Sequence, residues 1–275
     1  MALKRYKPTT SSIRHLTLVD KSHLWKGGPE KSLSVGVARK GGRNNQGRLT
    51  APRRGSFAHK RVCRIIDFKR REFAGLEGVV ERLEYDPNRT SHIALVRYGE
   101  QPAYIIAPKG LEAGQIVQSG ENVPFKIGNA MKLKHIPTGF TVHNIELKIG
   151  KGGQMARSAG AYATILGKEN DKIILRLKSG ETRYVHENCF ATIGEVGNSD
   201  HSNQHFSKAG RQRWKGIRPR VRAVAKNPVD HPMGGGEGKS SGGRHPCSAN
   251  GQAAKGLRTR NNKRTQHNII RRRAA

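Results

Sequence analysis

The positive charge of this 275-residue sequence is concentrated at its two ends. Between Asp67 and Asp200 there are 16 acidic and 18 basic residues, whereas the flanks 1–66 and 201–275 hold 4 acidic and 34 basic residues. Segments with this imbalance repel themselves unless a polyanion neutralises them. The pattern predicts a nearly neutral folded middle between two polycationic arms that track phosphates, although solubilising tails can also carry such charge runs.

Composition supports small folded units rather than one continuous core. Hydrophobic residues make up 34% of the chain and aromatic residues 5%, against a usual apolar share of about 45–50%. Three cysteines, at positions 63, 189 and 247, are an odd number without paired spacing, which argues against a secreted disulfide framework. The sequence has no 18-residue apolar stretch, so we expect no membrane span or membrane partner. Its basic start has the charge of a transit peptide, but Pro8 disfavours the helix that such a peptide needs.

The middle of the chain has the pattern of short β-strands separated by turns. Ser179-Gly180 is a two-residue hairpin turn, and Ile145, Leu147 and Ile149 alternate with polar residues as on a half-buried strand. Two strand sets predict two small β-barrels in series, with the junction between Pro124 and Pro137. The predicted strands are 64–68, 78–85, 92–98, 104–107 and 115–118 in the first set, and 141–149, 161–166, 172–178, 181–185 and 191–193 in the second. Helix is expected only as one or two turns at 207–214.

The arms are rich in glycine, above all in the segment 227–238. Three consecutive glycines, Gly234 to Gly236, cannot pack a core and predict close approach of bare backbone N–H groups to an anion or a nucleotide. Asp230 and His231 form the only candidate acid–base pair there, and without a nucleophile or an orienting third group they are weak evidence for catalysis. His231, His245 and Cys247 could be read as zinc ligands, but their spacing matches no standard site.

Ten motifs together make the sequence resemble the family of universal large-subunit ribosomal protein two, in its bacterial and organellar form. The resemblance covers nearly the whole chain, with the motifs in family order. The first are Gly41-Gly42-Arg43-Asn44, Asp67-Phe68-Lys69-Arg70, Glu84-Tyr85-Asp86-Pro87-Asn88-Arg89, Ile106-Ala107-Pro108-Lys109-Gly110 and Gly150-Lys151-Gly152-Gly153-Gln154. The others are Ala156-Arg157-Ser158-Ala159-Gly160, Gly194-Glu195-Val196-Gly197-Asn198, Gly210-Arg211-Gln212-Arg213-Trp214, Asn227 through Gly238, and Asn262-Lys263-Arg264-Thr265.

The resemblance implies a mainly β protein with an OB-fold barrel followed by an SH3-like barrel, flanked by long irregular basic arms. The implied domains are a basic N-terminal arm at 1–60, an OB-fold RNA-binding domain at 61–125, an SH3-like barrel at 126–200 and a basic Gly-rich extension at 201–275. That extension is expected to reach toward the peptidyl-transferase centre, with His231 deepest.

The function implied is that of a structural constituent of the large ribosomal subunit, not an enzyme. The expected partners are large-subunit rRNA, neighbouring ribosomal proteins and, at the subunit interface, the small subunit. No cofactor and no metal site are expected, beyond structural Mg²⁺ of the RNA. The residues expected to bind RNA are Arg43, Asn44, Lys69, Arg70, Arg89, Lys151, Arg157, Arg211, Arg213, Trp214, Asn227, Asp230, His231, Gly234, Gly235, Gly236, Lys263 and Arg264.

The sequence departs from the family pattern at three places. It has Gly55-Ser56-Phe57-Ala58-His59 where the family has three glycines and a histidine, Met233 where the family has a second histidine, and Ala249-Asn250-Gly251 where the family has Pro-Trp-Gly. Because of these departures, the sequence allows two locations for the protein: a ribosome in the bacterial cytoplasm or, as the alternative, a mitochondrial ribosome in the matrix.

Three other classes of protein compete with this interpretation. A DNA-binding architectural protein would be expected to show a recognition helix, a β-ribbon or wedge residues, and none is found. An enzyme would rest on Asp230 and His231 alone. A free-standing RNA chaperone fits the composition, and co-sedimentation with ribosomes would distinguish it.

Overall fold

A computed structural model describes residues 3–273, with the side chains of Ser56 and Phe57 left out of the description. The protein is mainly β, as the sequence predicts. It divides into two compact units. The first comprises Met1–Ala38, Lys60–Ala209 and His267–Ala275, and the second comprises Arg39–His59 and Gly210–Gln266. The described part of the chain contains no helix with the length and hydropathy that a membrane crossing requires.

The N-terminal region forms short antiparallel pairs rather than a wholly irregular arm: β1 with β2, and β3 with β5. The predicted strand 64–68 was wrong in position, because the strand ends at Arg64 and Ile66 forms only an isolated bridge, with Tyr104. Asp67 turns the chain there: its Oδ1 accepts the backbone N–H groups of Lys69 and Arg70 at 2.9 and 2.8 Å. The strands of this region are β1 (Leu3–Arg5), β2 (Thr17–Val19), β3 (Ser34–Gly36), β4 (Arg54–Ala58) and β5 (Val62–Arg64).

A four-stranded antiparallel sheet follows, in the order β8-β7-β6-β9. The strand Ile93–Tyr98 is buried on both faces of this sheet. Ala94 and Val96 belong to one apolar cluster, and Ile93 and Leu95 belong to another that includes Tyr104. This burial explains why the strand reads as a continuous apolar run rather than an alternating one. The strands are β6 (Glu77–Glu84), β7 (Ile93–Tyr98), β8 (Gln101–Ile106) and β9 (Ile116–Gln118).

The second β region supplies six strands of a seven-stranded sheet and a separate two-stranded pair. The continuous strand predicted at 141–149 was wrong. Asn144 adopts φ 50° and turns the chain, so that Glu146 is fully buried while Ile149 is 53% exposed. The strands are β10 (Ala130–Lys132), β11 (Thr141–His143), β12 (Ile145–Glu146), β13 (Gly153–Met155), β14 (Ala163–Glu169), β15 (Lys172–Leu177), β16 (Thr182–His186) and β17 (Phe190–Ile193).

The C-terminal extension also contains regular structure. The helix α1 (Ala209–Trp214) confirms the predicted helical turns and leads into β18 (Lys215–Ile217), which pairs with β4. Near the C-terminus β19 (Ile269–Arg271) pairs with β16, and it completes the seven-stranded sheet β10-β17-β11-β14-β15-β16-β19. Four 3-10 turns occur at Leu133–His135, Ser199–Asn203, Ala223–Ala225 and Lys263–Asn268.

Candidate nucleic-acid interface

Two predicted RNA-binding arginines from different β regions meet on one aromatic ring. The guanidinium carbon of Arg157 lies 4.5 Å from the ring centroid of Phe68, and that of Arg89 lies 5.8 Å from the same centroid. Lys69 follows Phe68 and is exposed, and so is Lys151. We call Phe68, Lys69, Arg89, Lys151 and Arg157 the Phe68 platform. The sequence analysis predicted its four cations as RNA-binding residues but did not select Phe68, although that residue lies within a quoted motif.

A buried carboxylate orients Arg89. Asp86 is fully buried, and its Oδ2 accepts a hydrogen bond from Nε of Arg89 at 2.6 Å. The other oxygen, Oδ1, accepts the backbone N–H of Asn88 at 2.8 Å and lies 3.9 Å from Nη1 of Arg64. Because the carboxylate is held on both sides, the plane of the Arg89 guanidinium is fixed before any ligand arrives.

Glu146 shapes the loop that carries Lys151. Its carboxylate accepts backbone N–H groups from Gly150 at 3.3 Å, from Gly152 at 2.9 Å and from Phe190 at 3.1 Å. It also pairs with Arg71 at 3.1 Å. Gly152 has φ 86°, and a Cβ there would lie 3.2 Å from the Lys69 side chain. The glycines of the motif therefore allow a tight loop against residues 68 and 69.

Residues of three motifs are linked near Arg157 and Thr90. Its Nη1 donates to the carbonyl of Gly153 at 3.0 Å. The backbone N–H of Ala159 donates to Oγ1 of Thr90 at 3.0 Å, and Nδ2 of Asn198 donates to the Thr90 carbonyl at 2.6 Å. Residues separated by 108 positions are thus joined within the first unit, which explains how widely spaced motifs can serve one surface.

Arg70 does not share in this surface. The residue is 3% exposed, and its Nη1 donates to the carbonyl of Gly128 at 3.2 Å. Its backbone turns inward at φ 53°, because Asp67 Oδ1 holds the N–H of both Lys69 and Arg70. As placed, Arg70 connects parts of the fold, whereas the neighbouring Lys69 faces outward.

The candidates of the second unit lie on exposed turns and one short helix. Asn44 Oδ1 accepts the N–H groups of Gln46 and Arg48 at 3.0 and 2.9 Å, which closes a turn beside the exposed Arg43. Trp214 is 47% exposed and contacts the ring of His59 edge-on, with centroids 5.6 Å apart. The remaining candidates here are Arg211 and Arg213 on α1 and the exposed pair Lys263 and Arg264.

Two amides of the glycine run bond within the loop itself, although they were predicted to approach a ligand. Gly234 N–H donates to the His231 carbonyl and Gly235 N–H to the Lys226 carbonyl, both at 2.8 Å. A Cβ on Gly234 would lie 2.5 Å from the Asn227 carbonyl oxygen. Gly234 is needed because residues 226 and 227 fold directly against it.

His231, which was predicted to bind RNA, is largely buried in this loop. The residue is 7% exposed, and its Nδ1 accepts the backbone N–H of Met233 at 3.1 Å. The Asn227 carbonyl draws the chain inward by accepting the N–H groups of Asp230 and His231. Val229, at 92% exposure, and the exposed Asp230 are left at the surface of the loop.

Among residues 3–273, no His, Cys, Asp or Glu side chains gather in a group of three that could hold a metal ion. This applies also to His231, His245 and Cys247, the set weighed as zinc ligands. The three cysteines are free thiols.

Comparison with known proteins gives one consistent family. The model of Ribosomal Proteins L2, RNA binding N-terminal domain, matches residues 30–119, and that of Ribosomal Proteins L2, C-terminal domain, matches residues 126–251. The large ribosomal subunit protein uL2 of Paracoccus denitrificans is 58% identical over 100% of this chain and 98% of its own length. That of Rhodospirillum centenum is 56% identical over 100% of both chains, and that of Agrobacterium fabrum is 57% identical over 98% of both.

Proposed function

The chain belongs to the Ribosomal Proteins L2 family, and from that membership we propose that it grips large-subunit rRNA chiefly through the Phe68 platform. It is a structural, rRNA-binding constituent of the large ribosomal subunit and not an enzyme. The bacterial relatives support a place in a bacterial ribosome.

The observation that carries the proposal is the approach of Arg89 and Arg157 to the Phe68 ring. Guanidinium groups pair with phosphate oxygens in a planar, two-bonded geometry and also stack on bases. Their exact direction matters for such bonds, and the buried Asp86 holds Arg89 by Nε alone. Lys69 and Lys151 add charge without a fixed plane, so we assign them to phosphates rather than to bases.

We propose a different role for the second unit. Its arginines and lysines, including the half-buried ones of α1 and the exposed Lys263–Arg264, neutralise phosphates along the RNA. Residues 226–236 present a preformed loop rather than a flexible glycine arm, and the family resemblance supports its placement toward the peptidyl-transferase region. We also propose contacts with neighbouring ribosomal proteins and with the small subunit. The proposed domains are an arm at 1–60, an OB-fold at 61–125, an SH3-like barrel at 126–200 and an extension at 201–275. Any Mg²⁺ is proposed to be bound only through the RNA.

Single substitutions on the platform test the function. Arg157→Ala should weaken binding to a large-subunit rRNA fragment by roughly tenfold to a hundredfold, because it removes one charged hydrogen-bonding group of about 1.5–3 kcal/mol. Arg157→Lys keeps the charge but loses the planar contacts, so we expect an intermediate loss. Affinities would be measured by titration at fixed salt.

The matched control is Arg97→Ala. Arg97 is also a partly exposed arginine of the first unit, but its Nη2 pairs with Glu81 at 2.9 Å, away from the platform. It should change affinity little. Equal losses for Arg97→Ala and Arg157→Ala would show that binding depends on total charge, and the platform would lose its assigned role.

A further inference from the structure

A cleft beside the four-stranded sheet is not used by the Phe68 platform. Its volume is about 380 Å³, near the lower end of the about 300–1,000 Å³ found for small-ligand sites. Its apolar walls include Leu83, Ala107 and Leu111, and it also borders His92 and Glu112. All of these residues belong to the first unit.

His92 is a buried polar group that the fold leaves without a partner. The residue is 2% exposed, and neither Nδ1 nor Nε2 has a hydrogen-bond partner in the described structure. Its backbone is fixed, because its carbonyl accepts the N–H of Ala107 at 3.1 Å. A buried donor or acceptor without a partner destabilises a fold. Retaining a histidine here therefore calls for a partner that the isolated chain does not supply.

The ring of His92 is neutral at physiological pH. Burial, followed by the charges of His23, Lys21 and His201, lowers its pKa to about 4. A neutral imidazole offers one N–H donor and one acceptor nitrogen. This pair matches the mixed donor and acceptor edges of a nucleobase better than it matches a phosphate, which only accepts hydrogen bonds at its oxygens.

His23 covers His92 and can uncover it. The two rings are edge to face, with centroids 5.9 Å apart, and His23 is exposed. Exposed side chains change rotamer readily, so that turning His23 outward opens the way to the buried ring. Lys21, whose ammonium lies 3.4 Å from the Tyr85 ring centroid, adds a cation near this entrance for a backbone phosphate.

We propose that the cleft receives one unpaired base of large-subunit rRNA, with His92 as its hydrogen-bonding partner. The inference rests on the proposed RNA-binding function and adds a base-reading site to it. A metal ion is the poorer match, since the described residues offer no third ligand beside the two histidines. Apolar walls with a few polar groups are what a base removed from its stack requires.

The decisive variant is His92→Phe in the full-length chain. It retains an aromatic ring but removes both nitrogens, so it separates an effect on folding stability from an effect on binding of the RNA base. The free protein should unfold at the same temperature or a higher one, because a buried unpaired polar group is lost. In the rRNA complex, one base that the wild-type protein protects from base-specific chemical modification should lose roughly threefold to tenfold of its protection.

Ala113→Trp provides a second, independent block. Ala113 lines the cleft and is exposed, so a large side chain there obstructs entry without removing a buried group. It should expose the same base to modification. Ala74→Trp is the matched control, since Ala74 is an exposed alanine of the same unit, outside the residues that line this cleft.

An unchanged modification pattern in both His92→Phe and Ala113→Trp, with rRNA binding intact, would overturn the base site and leave the proposed function standing. Protection that appears only after other subunit proteins are added would also overturn it, because a protein group would then occupy the cleft. Failure of the wild-type chain to bind rRNA at all would instead refute the proposed function.

Discussion

The two compact units reach order by different means. The first contains 32 basic and 18 acidic residues and all the buried hydrophobic side chains of the described core. The second contains 20 basic and only 2 acidic residues. Among its described side chains, the buried one is polar, that of His231. Apolar burial stabilises the first unit, whereas short turns, one strand pair and loop hydrogen bonds hold the second.

This difference separates two tasks in RNA binding. A surface that must orient guanidinium groups needs a rigid foundation, which the first unit supplies through Asp86 and Glu146. A segment that mainly neutralises phosphates needs charge and reach, and a large core would add little to either. We expect direction-dependent contacts in the first unit and salt-dependent ones in the second.

Truncation should give the largest effect. A chain that ends at Ala209 lacks 17 basic residues. If about eight of them contact phosphates, the slope of log affinity against log salt should become shallower by roughly 6. Between about 50 and 200 mM salt, the affinity of the full chain should then fall on the order of a thousandfold more than that of the truncated chain. Titrations at several salt concentrations measure the slope, and thermal unfolding checks that the first unit remains folded. An unchanged slope would assign phosphate binding to the first unit and remove the contrast between the units.

Loss of the Glu146 charge should destabilise the first unit. Glu146 is fully buried and accepts three backbone N–H groups besides pairing with Arg71. Glu146→Gln should lower the free energy of unfolding by about 3 kcal/mol, as measured by denaturant titration. Glu100→Gln, at an exposed turn, is the control and should change it by less than about 0.5 kcal/mol. Equal effects would mean that the loop at Lys151 does not depend on this carboxylate.

Mild acid should weaken the first unit by a smaller amount. Burial, opposed by a hydrogen bond to the Gly194 carbonyl, lowers the pKa of His143 to about 4, against about 6.5 in an unfolded chain. Between those values the unfolded state binds the proton and the folded state does not, so the free energy of unfolding falls as the pH falls. The loss expected from His143 alone is about 2 kcal/mol between pH 6.5 and pH 5.

His143→Asn tests the source of that loss. The asparagine amide can still donate toward the Gly194 carbonyl but does not titrate, so the variant should show a flatter dependence of stability on pH. His92, whose pKa is also lowered to about 4, should account for part of the remaining dependence. A variant that keeps the full wild-type slope would show that His143 contributes nothing to it.

Sequence patterns predicted the strands well where local signals and burial agreed. The predicted strands at 78–85, 92–98 and 172–178 correspond to Glu77–Glu84, Ile93–Tyr98 and Lys172–Leu177. The hairpin at Ser179-Gly180 is also confirmed, with Gly180 at φ 85° donating to the Leu177 carbonyl. The prediction at 141–149 failed because alternation alone did not reveal that Glu146 is a buried acceptor.

The candidate site was harder to predict, since it depends on long-range contacts. Arg89 and Arg157 were selected through family resemblance, but no local pattern indicates that Phe68 lies near both. The sequence did not indicate that the amides of Gly234 and Gly235 bond to carbonyl groups of their own loop. Arg70 looked like its neighbour Lys69 in sequence, and only the turn at Asp67 separates their directions.

The strand β19 attaches the C-terminal extension to the first unit at a second point. Because Ile269–Arg271 pairs with Thr182 and Arg183 of β16, the long basic stretch from residue 210 to residue 266 is attached to the first unit at both ends. A tethered loop explores far fewer conformations than a tail with one free end, so part of the entropy cost of laying it along RNA has already been met during folding. Both its ends are also withdrawn from exopeptidases, which need a free terminus to begin.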